Sequence, residues 1–125
     1  MALKQLNQQT PDKAVVLTKA IIRAAEIWKL KNRELAAILG LSETSISRLR
    51  DGSFQIRPES KSGELAVLLL RLFRGLDAFT GGHQDNQRRW LEAENVALGA
   101  APLTSIQNVA GLAYAVQYMD CMRGR

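Results

Sequence analysis

Apolar residues recur along most of this chain at intervals of three and four, and that period predicts helices. Leu17, Ile21, Ala24 and Trp28 follow one another at steps of four, three and four. Ala20 and Ile27 lie beside them, and Lys19, Arg23 and Glu26 lie opposite. This spacing places one face of a helix in a core and the other in solvent. Pro11-Asp12 opens the helix, and Asp12 suits a first turn, where the helix dipole favours an anion. Residues 1 to 10 read as a flexible tail.

The next pattern is tighter. Leu35 and Leu39 share one face of a short helix from Asn32 to Leu39, and Ile46 and Leu49 share one face of a second from Glu43 to Arg50. Gly40-Leu41-Ser42 separates them. Glycine takes the left-handed conformation in which helices often end, without a Cβ penalty. Ser42 is a good N-cap for the second helix, and Asn32 is expected to cap the first. Leu41 is placed to plug the angle between the helices, and Ala36 is small where they cross. Asp51-Gly52 stops the second helix. Two short helices on a tight turn are the spacing of a helix-turn-helix.

Beyond it, Asp51 to Pro58 reads as a loop, with Phe54 and Ile56 available to tuck into the core. Glu64 to Phe79 is apolar almost all round, which predicts a central helix, buried or shared with another chain. Thr80-Gly81-Gly82 breaks it. Asp85 is expected to cap a helix from Asn86 to Ala93, with Trp90 and Leu91 inward and Arg88-Arg89 outward. Asn95 to Ala101 forms a loop turning at Gly99. Pro102 begins a short helix, Leu103 to Ile106, since proline is preorganised for a first turn. Asn108 caps a last helix, Val109 to Met122, on which Leu112, Val116 and Met119 form one stripe and Tyr114, Tyr118 and Cys121 another. No sustained period-two alternation appears, so the fold class is all-α. The chain divides into a helix-turn-helix region, residues 1–61, and a helical C-terminal region, residues 62–125.

Charge changes this picture more than composition does. The apolar fraction of 46% excludes a disordered chain. The formal charge is +5, and all of the excess lies in residues 1–61, where eleven Lys and Arg face six Asp and Glu. That asymmetry points to an anionic partner for the first half, a solubilising surface being the plainer alternative. On the second short helix, Thr44, Ser45, Ser47 and Arg48 are candidates for base edges. Lys31, Asn32, Arg33 and Arg50 are candidates for phosphates, and Arg57 and Lys61 for further backbone contacts. Glu43 opposes phosphate at the start of that helix. A single recognition helix reads half a site, so a homodimer is expected. Cys121 is the only cysteine, consistent with a cytoplasmic protein. No signal peptide or membrane span is legible. His83 has no partner ligands, and no catalytic constellation is evident, so neither a metal, a cofactor nor an enzyme is expected.

The C-terminal residues carry a resemblance. Trp90-Leu91, Asn95, Leu98-Gly99, Pro102-Leu103, and Gly111 with Val116, following a helix-turn-helix, resemble the MbcA/ParS/Xre antitoxins from about Val15 to Arg125. The chain departs at Glu94, where the family often has proline, and at Ala100, where a second glycine often follows. The resemblance implies the antitoxin of a type II toxin–antitoxin system. Its partner would be a RES-domain toxin that depletes NAD⁺, covered at its active site by the C-terminal region, while the N-terminal half binds operator DNA. It implies a toxin-facing surface at Tyr114, Tyr118, Met122, Arg123 and Arg125, the two arginines being candidates to enter the toxin's pocket. A polar, solvated terminus is the alternative for the arginines. The alternative for the chain is a stand-alone transcriptional regulator whose C-terminal half dimerises or senses a ligand.

Overall fold

The computed structural model describes residues 12–124. The expected N-terminal tail and Arg125 lie outside them. Among the described residues seven helices follow in order: α1 Lys13–Trp28, α2 Asn32–Leu39, α3 Glu43–Asp51, α4 Lys61–Phe79, α5 Gln84–Glu92, α6 Pro102–Ser105 and α7 Val109–Met122. The only β pairing among the described residues is an isolated bridge, Asn95 to Ala100. The all-α expectation holds.

The longest helix, α4, is central. It packs most extensively on α7, then on α1, and it also meets α2 and α5. It begins three residues before its expected start because Ser60 is its N-cap: the Ser60 hydroxyl accepts from the Gly63 N–H and donates to the Arg57 carbonyl. Gly63 is required there, since a Cβ at that position would collide with the Arg57 and Pro58 carbonyl oxygens. Further along, Gly75 lets α7 approach, and a Cβ there would lie 2.7 Å from Met119 Cγ. The buried apolar residues form one continuous cluster through both halves of the chain, from Leu17 to Met119.

Trp28 ends α1 inside this core, fully buried, with its ring 5.4 Å from that of Phe73. Its indole N–H donates to Gln87 Oε1 at 2.9 Å, and Gln87 Nε2 donates to Asp77 Oδ1 at 2.8 Å. Arg88 donates to the Trp28 carbonyl. One tryptophan thus ties α1, α4 and α5 together. This corrects the outward placement of Arg88, which is half-buried and also pairs with Glu92 at 3.3 Å; Arg89 does lie outside. Asp85 is not the cap of α5 either. His83 holds that position without a side-chain bond, and Asp85 lies in the first turn.

In the C-terminal region the expected elements form. Asn95 closes a tight turn by accepting the Leu98 N–H on its side chain, while its own N–H donates to the Ala100 carbonyl. Only the backbone of Ala100 is used, so alanine serves in place of glycine. Gly99 adopts φ 77°, a left-handed conformation. Asn108 caps α7 through the Gly111 N–H at 2.8 Å. Gly111 sits where any Cβ would overlap the Ser105 carbonyl oxygen.

Two substitutions test this packing in chemical or thermal unfolding. Gln87→Leu leaves a buried indole N–H without an acceptor, at a cost of about 1–3 kcal/mol. Gly111→Ala forces α7 off the α6 terminus, at a cost of about 1–3 kcal/mol or more.

Candidate nucleic-acid interface and partner surface

The helix-turn-helix is built as its residue types require. Leu35, Leu39, Ile46 and Leu49 are fully buried, Ala36 is buried at the crossing, and Leu41 packs against the core from the turn. Gly40 takes φ 68° as the C-cap of α2. The Ser42 hydroxyl accepts from the Ser45 N–H at 3.1 Å and caps α3. Helix α3 runs one residue past its expected last residue, to Asp51, and Gly52 closes it at φ 91°. Beyond it, the Ile56 N–H donates to Thr18 Oγ1 at 2.9 Å in the interior, which anchors the strand of chain leaving α3 to α1.

Polar bonds then fix how α2 and α3 lie together. Arg50 Nε donates to Asn32 Oδ1 at 2.7 Å, and Arg50 Nη2 donates to the Leu30 carbonyl at 3.0 Å. Asn32 Nδ2 reaches Ser47 Oγ at a long 3.4 Å. Asn32 is therefore not the N-cap of α2. Lys31 occupies that extended position, and its N–H donates to Glu34 Oε1 at 2.8 Å. A bracket of Asn32, Arg50 and the Leu30 carbonyl joins the start of α2 to the end of α3. It sets the angle at which α3 is presented.

Among the expected base-reading residues, Thr44, Ser47 and Arg48 are exposed, as is Glu43. Ser45 is half-buried, and its hydroxyl bonds to that of Ser42 at 3.0 Å. Lys31 and Arg33 are exposed at the start of α2. In the sequence they flank Asn32, whose side chain bonds to Ser47 and Arg50 of α3. Arg57 and Lys61 are exposed and lie in ion pairs with Glu59 at 3.1 Å and Glu64 at 3.3 Å. Such surface pairs are weak and exchangeable. At the end of α3, Asp51 accepts from the Ser53 hydroxyl at 2.6 Å and the Ser53 N–H at 2.9 Å. These bonds, with Arg48 nearby, hold its carboxyl below the usual carboxylate range. What this turn contributes is present above the ordinary carboxylate pKa and is lost as pH falls through the lowered one.

At the other end, Tyr114, Tyr118 and Met122 lie four apart along α7 and form one stripe. Tyr114 and Met122 are exposed, and Tyr118 is half-buried. Arg123 is exposed, with its side chain lying back over Gly75 of α4. Trp90-Leu91, Leu98 and Leu103, by contrast, pack into or against the core. Sequence reasoning missed Glu34, Thr18 and Gln87, each a polar residue that satisfies one specific buried or terminal N–H. Thr18 interrupts an apolar run, whereas Glu34 and Gln87 stand beside other polar residues and carry no such signal.

The two arginines of α3 separate structure from recognition. Arg50→Ala breaks the bracket and is expected to destabilise the fold by about 1–3 kcal/mol. Arg48→Ala removes an exposed side chain and should change stability by less than about 0.5 kcal/mol. Urea unfolding of both variants checks the split.

No curated protein matches the sequence. The family model for the antitoxin Xre-like helix-turn-helix domain matches residues 8–71, just over half of the chain. The match covers α1, α2, α3 and the first half of α4, the segment in which the bracketed recognition helix is held. By this match the chain belongs to the antitoxin Xre-like helix-turn-helix family.

Proposed function

We propose that the protein is the antitoxin of a type II toxin–antitoxin system with two working ends. Residues 1–61 bind the operator of its own operon as a homodimer. Residues 62–125 neutralise a RES-domain, NAD-degrading toxin by covering its active site. The observation that carries the first half is the bracketed helix-turn-helix, matched by the antitoxin family, in the half of the chain that holds all the excess positive charge. The second half rests on the antitoxin-like pattern from Trp90 to Val116 and on the stripe of Tyr114, Tyr118 and Met122.

In this reading Thr44, Ser47 and Arg48 meet base edges. Lys31 and Arg33, beside the N-terminus of α2, meet phosphates, where cations and free helix N–H groups act together. Asn32 and Arg50 act chiefly by holding α3 at its angle, and Ser45 by completing the cap. Arg123, just past the end of α7, and Arg125, two residues on in the sequence, are the candidates to enter the toxin's pocket. Glu43 disfavours phosphate at its end of α3 and so helps to set the register on the groove.

Binding to DNA from immediately upstream of the gene, followed by electrophoretic shift or fluorescence anisotropy, tests the first end. Arg48→Ala should weaken specific binding by about 1–3 kcal/mol if the arginine reads a guanine. Lys31→Ala should weaken binding to all sequences alike and lower the salt dependence by about one ion. Absence of any sequence preference at moderate salt contradicts the operator role. For the second end, co-expression with the product of the adjacent gene should yield a stable complex and restore cellular NAD⁺. A wild-type chain that neither binds nor protects contradicts the toxin role.

A further inference from the structure

A third surface adjoins Arg123 of the toxin-facing end. Between α1 and α4 runs an open groove of about 590 Å³. Its floor is apolar: Val16, Leu17, Ala20, Pro58, Val67 and Leu70. Val16 and Val67 are among the few large apolar side chains the fold leaves out, at 53% and 48% exposed. The charged residues lining it are all cationic: Lys13, Arg71 and Arg74. Arg71 and Arg74 also line an adjoining hollow with Arg123 and Asp120. Asp120 is the sole acid there, and it accepts a single hydrogen bond from Arg71 Nη2 at 2.9 Å. One such bond leaves most of the guanidinium's donors available.

We infer that this groove docks an amphipathic helix of a partner protein, apolar on one face and acidic along its flanks. The apolar floor and the three-cation rim are complementary to that chemistry and to little else nearby. Residues 1–11 of the chain itself offer Leu3 and Leu6, but their one charged side chain is Lys4, of the wrong sign. Two copies laid groove to groove would oppose Lys13, Arg71 and Arg74 to their own equivalents, a like-charge juxtaposition that disfavours a symmetric dimer through this face. Duplex DNA would satisfy the cations and leave the apolar floor uncovered. An acidic amphipathic helix satisfies both, with apolar anchors at helical spacing entering between α1 and α4 and carboxylates reaching the rim.

The probe is a synthetic helical peptide with leucines at i, i+3, i+4 and i+7 and glutamates beside them, titrated into the full-length labelled protein and followed by NMR. Shifts centred on Val16, Ala20, Val67 and Leu70 are expected, with affinity that falls as salt rises. The same peptide with lysine in place of glutamate should not bind. Arg74→Glu should weaken the glutamate peptide by roughly tenfold. Val67→Ser, on an exposed position, should weaken it while leaving the remaining spectrum and the unfolding transition unchanged. The inference is overturned by any of five results. These are no binding, shifts elsewhere, equal binding of both peptides, or shifts of these residues with duplex DNA or with rising protein concentration alone.

Discussion

A helix that is apolar nearly all round must be covered nearly all round, and α4 imposes that demand on the rest of the molecule. Its nineteen residues carry Ala66, Leu69, Leu70, Leu72 and Leu76 into the interior. The covering is done from several directions. Helices α1 and α2 bring the recognition half to one side, α7 closes another, and α5 seals the region around Trp28. Close contact depends on two small residues, Gly63 in the first turn of α4 against the Arg57 and Pro58 carbonyls and Gly75 opposite Met119. Because α4 serves both halves, the core is continuous from the helix-turn-helix to the last helix. The groove along α1 is one part of this demand that the fold leaves unmet, exposed Phe79 being another.

The recognition helix inherits its placement from that core. Ile46 and Leu49 fasten its inner face, while Arg50 and Asn32 fasten its end to α2. Thr18 holds the chain that leaves it. The outer face is then free of structural duty at Thr44 and Arg48. Polar residues that look alike in sequence therefore divide into two kinds. Some are bonded within the protein and set geometry, as Arg50, Asn32 and Ser45 are. Others are exposed and available to a partner. The tyrosines and Met122 of α7 show the same division from Leu112, Val116 and Met119, which lie on its buried face.

Much of this was legible from spacing. The apolar faces of α1, α2, α3 and α7, the turn at Gly40, and the caps at Ser42 and Asn108 follow from local rules that the structure obeys. The errors came where a neighbour distant in sequence decides. Asn32 is a good cap by type, yet Arg50, eighteen residues on, takes its side-chain oxygen. Arg88 reads as solvent-facing until the Trp28 carbonyl, sixty residues back, is placed within its reach. Gln87 looks like an ordinary surface glutamine and is buried because the indole of Trp28 needs an acceptor. Gly75 lies mid-helix, where local propensity disfavours glycine, and only the approach of α7 explains it. Within the candidate site the exposed residues were identifiable by type, while their separation into bonded and available ones needed the three-dimensional arrangement.

The central proposal is that DNA recognition and toxin neutralisation sit on separate surfaces of one core. Two substitutions assayed side by side in cells carrying the adjacent gene and an operator-driven reporter test it most directly. The account predicts that Arg48→Ala relieves repression and leaves protection from the toxin intact. It predicts that Tyr118→Asp abolishes protection and leaves the purified protein's operator binding unchanged. If either substitution impairs both functions in a protein that still folds, the separation of the two ends is contradicted.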